Sequence, residues 1–249
     1  MKTRIDKLLV ERGIAASRER AQAMLLAGRV LVNGQKVDKA GAGFDPDAEI
    51  RILGEDLRYV SRGGLKLEAA LDHWSVDLTG RTCLDVGAST GGFTDCMLQH
   101  GAACVLAVDT GYGQIAQKLR ADPRVTLMER TNARHIETGD LPQGITFLGM
   151  DVSFISATLI LTSVIPAVFG HSDATAEAVV LVKPQFEAGR EHVGKGGIVR
   201  DPAAHQLAID KVRACVSMLG GEAVDVTDSP IRGAEGNREF LLYARFPQR

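Results

Sequence analysis

From residue 62 onward, short apolar runs that are typical of buried strands alternate with segments of helical spacing. Alternation of this kind predicts an α/β domain with a mostly parallel sheet and helices on both faces. Seven strands are predicted, at TCLDVG, CVLAVD, VTLME, ITFLGMD, AVVLVK, GGEAVDVTDS and REFLLYARF, with helices near 91–100, 114–121, 155–168 and 202–219.

The first part of the chain has a different pattern. Ile5, Leu8 and Leu9 have the spacing of one helical face, and Gly13 is a plausible stop for that helix. Ser17 then predicts the N-cap of a second helix, SRERAQAMLLAG. Two helices in so short a stretch indicate a small unit with its own core.

A hairpin completes this small unit. Asn33-Gly34 lies between two short apolar stretches, which is a strong signal for a two-residue hairpin turn. A further short strand is predicted at EIRIL. The domain boundaries that follow are a small α+β domain at 1–54, a linker at 55–61 and the α/β domain at 62–249.

The overall charge of −2 hides an asymmetry along the chain. Residues 1–43 contain nine lysines and arginines against four acidic residues, a balance of +5. A basic end on an otherwise acidic chain predicts a polyanionic partner at that end.

The cysteine and hydropathy patterns exclude several classes of protein. The four cysteines show no CxxC spacing, so neither a metal site nor a disulfide framework is predicted, and a reducing compartment is favoured. The start of the chain lacks the apolar region of a signal peptide. The most apolar window, 155–169, is too short to span a bilayer and contains Pro166. We therefore expect a cytoplasmic protein that acts away from the membrane.

The stretch TCLDVGASTGGFTD predicts a strand, a glycine-rich turn and the start of a helix. Such a turn leaves backbone amides free for a ligand at the helix N-terminus, although many α/β turns carry glycine for packing alone. Asp109 ends the next strand, where a carboxylate can accept both hydroxyls of a nucleoside ribose; otherwise it is a helix cap. The candidate cofactor-binding residues of the turn are Asp85, Gly87, Ala88, Ser89, Gly91, Gly92 and Phe93.

The spacing of the glycines bears on which cofactor is bound. A nicotinamide cofactor favours GxGxxG, whereas this turn reads DxGxxxGG. The pattern resembles the first motif of S-adenosylmethionine-dependent methyltransferases, which hold no pyrophosphate. Asn132, in ERTNARH after the third strand, resembles a position that bonds the adenine edge in that class, or it is a plain loop asparagine.

Charged residues recur at the ends of predicted strands. Asp151 and Lys183 follow two apolar runs, and both are expected at the edge of the sheet where ligands bind. Lys66 lies in a predicted amphipathic helix and Glu239 near the start of a late strand. Each residue also has a simpler interpretation. Lys66 can be a solvated helix lysine and Glu239 an edge-strand carboxylate. Lys183 can be a lysine at the rim of the sheet, where Pro184 ends the strand.

The small domain has the predicted order helix, turn, helix and hairpin, and its helix pair carries basic residues. That order resembles the RNA-binding domain named after ribosomal protein S-four, which reads structured RNA by shape and phosphate contacts. Alternatively, these basic residues only aid solubility and bind no RNA. The segment EAGREHVGKGGIVRD is also predicted to be a mobile loop over RNA, or else a solvated loop. The candidate RNA-binding residues are Arg4, Arg18, Arg20, Arg29, Lys36, Lys195 and Arg200.

Lys66, Asp151, Lys183 and Glu239, in this order, resemble the catalytic Lys-Asp-Lys-Glu tetrad of FtsJ-type ribose 2′-O-methyltransferases. With YVSRGGLKLEAAL, AVDTGYGQIAQKLR, MDVSFIS, LVKPQFEAG and GNREFLL, nearly the whole chain resembles the TlyA (haemolysin A) family. The resemblance implies a Rossmann-like methyltransferase that uses S-adenosylmethionine to methylate a ribose of ribosomal RNA, cytidine in the best-known members.

Within that reaction, Lys183 is expected to act on the ribose 2′-oxygen, either as a general base or as a charged donor that orients it. The partners implied are ribosomal RNA or ribosomal subunits. Three other functions remain possible on the sequence: an RNA-binding protein with an inert α/β domain, a haemolysin acting on membranes, and a small-molecule methyltransferase. The lack of a predicted membrane-spanning helix and of a strongly amphipathic basic helix speaks against the haemolysin, and the basic N-terminal end speaks against the small-molecule methyltransferase.

Overall fold

The computed structural model describes residues 2–15, 17–26, 28–53, 58–170, 174–233 and 235–248. The chain divides into two compact units, residues 1–56 and 57–249, each with its own apolar core. Residues 58–61, which the sequence predicts to be linker, lie in the larger unit, where Tyr59 is 1 % exposed. Within the described ranges, none of the helices combines the length and the apolarity that crossing a lipid bilayer requires.

The smaller unit has two helices beside short antiparallel strands. Gly13 and Gly28 adopt positive φ after the two helices, and the hydroxyl of Ser17 accepts a hydrogen bond from Arg20 N at 3.2 Å as the predicted N-cap. Asn33 and Gly34 both have positive φ, as the predicted hairpin turn requires. The elements are β1 (Thr3–Arg4), α1 (Ile5–Glu11), α2 (Arg18–Leu26), β2 (Val30–Val32), β3 (Gln35–Val37), β4 (Gly43–Phe44) and β5 (Ile50–Ile52).

The strands of this unit form two sheets. β3, β2 and β5 make a three-stranded antiparallel sheet, and β1 pairs with β4. The β1–β4 pair is absent from the sequence prediction, because two residues per strand are too few to establish a period.

The larger unit contains the predicted seven-stranded sheet. Its elements are α3 (Gly63–Trp74), β6 (Thr82–Val86), α4 (Gly92–Gln99), β7 (Cys104–Val108), α5 (Gln117–Arg120), β8 (Val125–Met128), β9 (Ile145–Met150), α6 (Ala157–Phe169), β10 (Ala176–Val182), α7 (Pro184–Glu187), α8 (Pro202–Met218), β11 (Glu222–Asp228) and β12 (Phe240–Phe246). Single turns of 3₁₀-helix lie at Ala133–His135, Thr138–Asp140 and Arg190–His192.

The strand order is β11-β12-β10-β9-β6-β7-β8, with β12 antiparallel to both of its neighbours and the other pairs parallel. Alternate residues of β10 enter apolar layers on opposite faces, Val179 and Leu181 on one and Val180 and Val182 on the other. The chain runs outward from β6 through β8 and then returns to place β9 beside β6. The direction of winding therefore reverses between β6 and β9, which is where ligands bind in open α/β sheets.

One predicted helix is shorter than expected. The pattern at 114–121 predicts two turns, but α5 is a single turn that begins at Gln117. Ala116 N donates to Thr90 O at 3.1 Å, which ties Ala116 to the glycine-rich turn, and its ψ of 138° lies outside the helical range.

Candidate active site

Four charged side chains from distant parts of the chain meet at the edge of the sheet where the parallel strands end. Asp151 follows β9 and Lys183 follows β10. Because β12 runs antiparallel to β10, Glu239, the residue before β12, starts at the same edge. Lys66 reaches this edge from α3. The topology thus assembles all four residues of the predicted tetrad.

The four side chains form a linked set of ion pairs. Lys66 Nζ lies 2.6 Å from Glu239 Oε2 and 3.9 Å from Asp151 Oδ2, and Lys183 Nζ lies 2.5 Å from Asp151 Oδ1. Lys66, Lys183 and Glu239 are each at most 8 % exposed. Burial of charge at this density is tolerated only when opposite charges are paired, and here two of each sign balance.

Lys183 also contacts a residue that the sequence did not single out. Its Nζ donates a hydrogen bond to Ser153 Oγ at 2.7 Å, whereas its contact with Asp151 Oδ1 is close but lacks hydrogen-bond angles. Ser153 stands two residues after Asp151 in MDVSFIS. Its place on a loop at a strand end was the signal that could have identified it.

The glycine-rich turn packs tightly against the loop that carries Asp151. Gly87 has a φ of +87°, and a Cβ there would lie 2.4 Å from Asp151 O. A Cβ at Gly92 would lie 2.3 Å from Ser61 Oγ. Asp151 N donates to Val86 O at 3.0 Å. The glycines are therefore required by close approach, and the turn lies directly beside the tetrad.

Two cavities open beside Gly87, which lines both of them. The larger has a volume of about 500 Å³ and includes Lys66 and Lys183 in its wall; the smaller has a volume of about 330 Å³. The predicted cofactor-binding residues that line the larger cavity are Gly87, Ala88, Ser89, Gly92, Phe93 and Asp151, and those of the smaller include Gly87, Ser89, Asp109, Asn132 and Asp151.

Asp109 links the second strand to the glycine-rich turn. Its Oδ2 accepts from Ser89 N at 2.8 Å and its Oδ1 from Gly111 N at 2.6 Å. Each carboxylate oxygen keeps lone-pair capacity for a second donor. Asn132 lines the same cavity, and its side-chain oxygen accepts from Arg134 N at 3.1 Å, which leaves its amide nitrogen as the group that can donate.

Asp85 and Gly91, both predicted to bind cofactor, line neither of these two cavities. Asp85 is fully buried, and its Oδ2 accepts from Thr94 N at 2.9 Å and Thr94 Oγ1 at 2.6 Å, so it fastens β6 to the start of α4 from behind the turn. Burial raises the pKa of the Asp85 carboxyl to about 7, against the lowering effect of the Thr94 hydrogen bonds.

This raised pKa predicts a pH dependence of stability. Unfolded, the carboxyl loses its proton near a pKa of about 4; folded, it keeps the proton until about pH 7. Between these values the folded state binds more protons, so Asp85 makes the protein less stable as the pH rises. We expect Asp85→Asn to gain thermal stability relative to wild type between pH 4 and pH 8 in calorimetric scans. A difference that stays constant with pH would contradict this.

A third cavity, of about 430 Å³, lies on the other side of the tetrad and shares Lys66, Lys183 and Glu239 with it. Phe154 and Phe186 line it, with ring centroids 5.6 Å apart, and Phe154 is 92 % exposed. The tetrad therefore lies where separate cavities meet, so groups bound in them can approach one another there.

Two of the predicted RNA-binding arginines of the smaller unit share a buried partner. Asp6, 0 % exposed, accepts from Arg4 Nε and Nη2, from Arg18 Nη2 at 2.9 Å and from Gln22 Nε2. The guanidinium groups of Arg4 and Arg18 stay half exposed, so they are held in place without leaving solvent.

The other basic candidates are also at the surface or partly so. Arg20 and Arg29 are half-buried, and Arg29 Nε donates to Leu53 O at 3.1 Å. Lys36 is exposed, with its side chain lying over Gly28. RNA contact by these residues stays a prediction.

The C-terminal part of the segment 187–201 is hydrogen-bonded to a buried side chain. Asn237, 1 % exposed, accepts from Val199 N at 2.9 Å and donates to Gly197 O at 2.8 Å. Lys195 and Arg200 are exposed beside this anchor. Mobility of this segment and its contact with RNA stay predictions.

Over the part of the chain that the structure describes, no group of three or more histidine, cysteine, aspartate or glutamate side chains is placed to hold a metal ion.

Comparison with known proteins agrees with the fold. The model of the FtsJ-like methyltransferase family matches residues 59–246, and the S4 domain model matches residues 3–50. YqxC of Bacillus subtilis (strain 168), assigned as an rRNA methyltransferase, is 48% identical over 99% of this chain and 86% of its own. The 16S/23S rRNA (cytidine-2′-O)-methyltransferase TlyA of Mycobacterium tuberculosis (strain CDC 1551 / Oshkosh) is 42% identical over 98% of this chain and 90% of its own.

A solved structure gives the same result. A protein described as a hemolysin from Streptococcus thermophilus superposes with a TM-score of 0.74 at 43% identity, covering 99% of this chain and 89% of that one. The switch-point cavities, the glycine-rich turn and the charge tetrad define a Rossmann-like methyltransferase. The chain belongs to the TlyA (haemolysin A) family of FtsJ-like methyltransferases, with an S4 domain before the catalytic domain.

Proposed function

We propose that this protein transfers a methyl group from S-adenosylmethionine to the ribose 2′-hydroxyl of a cytidine in ribosomal RNA. The observation that carries the proposal is the assembly of Lys66, Asp151, Lys183 and Glu239 at the switch point, beside the cavities of the glycine-rich turn. The name of the Mycobacterium tuberculosis relative supports the choice of a ribosomal cytidine.

The two cavities at Gly87 fit the proposed methyl donor. The carboxylate of Asp109 has capacity for two ribose hydroxyls, and the amide nitrogen of Asn132 can donate to an adenine edge in the same cavity. Gly87, which lines both cavities, lets the glycine-rich turn approach the backbone of Asp151, so the two cavities adjoin the tetrad. When bound, S-adenosylmethionine supplies a methyl group activated by a positively charged sulfur.

The residues of the tetrad have separate tasks in this reaction. The ribose 2′-oxygen bonds to the methyl carbon as the carbon–sulfur bond breaks in line, and its electron pair leaves with the sulfur of S-adenosylhomocysteine. The 2′-proton passes to Lys183 where that lysine is neutral and to water where it is already charged. Lys183, in the wall of the larger cavity, holds the 2′-oxygen and offsets the negative charge that develops on it. Asp151 pairs with Lys183 and holds its ammonium group in place. Lys66, paired with Glu239, lies on the other side of Asp151 and completes the network of ion pairs. Catalysis is then mainly alignment and electrostatic stabilisation.

The S4 domain supplies the RNA contact in this proposal. Its half-exposed Arg4 and Arg18, held by Asp6, are suited to phosphates, whose contacts position a protein on RNA without reading its sequence. The exposed Lys195 and Arg200 are proposed to add phosphate contacts from the catalytic domain.

We expect Asp109→Ala to weaken S-adenosylmethionine binding by about 10- to 100-fold, because two charge-assisted hydrogen bonds to the ribose are lost. Titration calorimetry on the full chain measures this. Asp122→Ala, which removes a half-buried carboxylate paired with Arg124 outside the cavities, serves as the control and should bind normally. If both variants bind S-adenosylmethionine equally well, Asp109 is not part of the donor-binding site.

The function itself is tested by transfer of labelled methyl from S-adenosylmethionine to purified ribosomal subunits and to free ribosomal RNA. Label in RNA, stable to protease and lost on nuclease treatment, is the expected result. Binding of the donor without transfer to any of these substrates would favour an RNA-binding protein with an inert catalytic domain.

A further inference from the structure

Ser153 occupies a place that the tetrad alone does not explain. It lies two residues beyond Asp151, on the loop that Asp151 N fastens to Val86 O at the end of β6. Ser153 lines all three cavities that surround the tetrad. Besides Asp151, no other residue of this loop lines the cavity that holds the glycine-rich turn and Lys183. A polar side chain at this junction lies within reach of both the donor and the acceptor.

The contacts of Lys183 assign the hydroxyl of Ser153 a specific task. A lysine ammonium has three donors on a flexible stem, so a single ion pair does not fix its direction. Here Asp151 Oδ1 attracts the charge at 2.5 Å, while the directed hydrogen bond goes to Ser153 Oγ at 2.7 Å. Because Ser153 takes the directed hydrogen bond, the ammonium group keeps donor capacity for a group in the cavities that Lys183 lines.

A hydroxyl suits this position better than a second carboxylate. Serine both accepts and donates, so it keeps its hydrogen bond to a lysine nitrogen with or without the third proton. It also adds no charge to a cluster whose two positive and two negative groups already balance. The lysine can therefore stay in place while charge changes on the neighbouring oxygen.

We propose that Ser153 is a positioning residue that fixes the direction of Lys183 towards the ribose 2′-oxygen. This inference rests on the proposed methyl transfer and adds a fifth residue to the tetrad. It predicts that loss of the hydroxyl lowers the rate of transfer. Folding should be unaffected because the side chain is exposed, and donor affinity should be retained because the proposed donor contacts are made by Asp109 and Asn132.

The test uses three variants of the full chain. Ser153→Ala removes the hydroxyl, Ser153→Thr retains it, and Ser163→Ala removes a serine whose Oγ donates to Arg134 O at 2.7 Å on the outer side of α6. Under saturating donor and RNA, we expect Ser153→Ala to lower kcat by roughly 10- to 100-fold with an unchanged donor Kd and Tm. Ser153→Thr should recover most of the rate, and Ser163→Ala should match wild type.

A second readout does not depend on transfer. In ¹⁵N NMR of the lysine ammonium groups, with the Lys183 signal assigned by its loss in Lys183→Arg, we expect faster proton exchange with water in Ser153→Ala than in wild type. Wild-type kcat or wild-type exchange in Ser153→Ala would overturn the inference, as would a loss of rate shared by Ser163→Ala. If wild type itself transfers no methyl, the proposed function fails, and the exchange rates still decide whether Ser153 holds Lys183.

Discussion

Lys183→Ala is expected to lower methyl transfer to RNA by about 100- to 1000-fold, the loss typical when one preorganised charge-stabilising donor is removed from an active site. Lys183 is 8 % exposed and paired with Asp151 and Ser153, so its ammonium group is already held before substrate arrives. The alanine variant loses the group that would face the 2′-oxygen, and water that enters in its place must reorganise during the reaction.

Donor binding provides the internal control for this variant. The residues that hold the donor in the proposal lie mainly around Gly87 and Asp109, so S-adenosylmethionine affinity should change little in Lys183→Ala. Lys118→Ala removes a half-exposed lysine that is ion-paired with Asp95 outside these cavities, and it should retain full activity. Methyl transfer at the wild-type rate by Lys183→Ala would contradict the catalytic assignment.

Glu239→Ala is expected to cost about 3 kcal/mol of folding stability, because it leaves a buried lysine without its closest partner. Glu239 Oε2 lies 2.6 Å from Lys66 Nζ, and both side chains are at most 10 % exposed. The remaining carboxylate, Asp151, lies 3.9 Å away and is shared with Lys183, so it offsets the loss only in part. Urea unfolding followed by circular dichroism measures the change.

A double variant separates the stability of this pair from its function. In Lys66→Met/Glu239→Met both buried charges are replaced by apolar chains, so we expect most of the stability lost in Glu239→Ala to return. Methyl transfer should not return with it, because the network around Lys183 and Asp151 lacks two of its members. If the double variant is as unstable as Glu239→Ala, the stability lost in Glu239→Ala comes from interactions other than the unpaired charge of Lys66.

The sheet and the tetrad could be predicted because burial on both faces leaves a clear pattern in the sequence. AVVLVK is apolar at every position before Lys183, since alternate residues of β10 enter different apolar layers. A charge that directly follows such a run lies at the edge of the sheet. Asp109, Asp151 and Lys183 were found in this way, whereas the roles of Lys66 and Glu239 needed the family resemblance.

The features that could not be predicted are contacts between side chains of different elements, which the hydrophobic pattern does not encode. The hydrogen bond from Lys183 to Ser153 joins residues on two loops, and the carboxylate of Asp6 gathers Arg4 and Arg18 from separate elements. Asp85 belongs to the glycine motif by position, yet its side chain turns away from the cavities towards Thr94. A strand residue points to one face or the other, and the motif alone does not say which.

The identity of the methylated nucleoside tests the central claim most directly. Ribosomal subunits are incubated with the protein and S-adenosylmethionine carrying a labelled methyl group, the RNA is digested to nucleosides, and the label is located by mass spectrometry. Label on a ribose is the result expected from Lys183 beside the donor cavities, and 2′-O-methylcytidine is the product that the proposed function predicts. Label on a base, or in protein and not RNA, would contradict it.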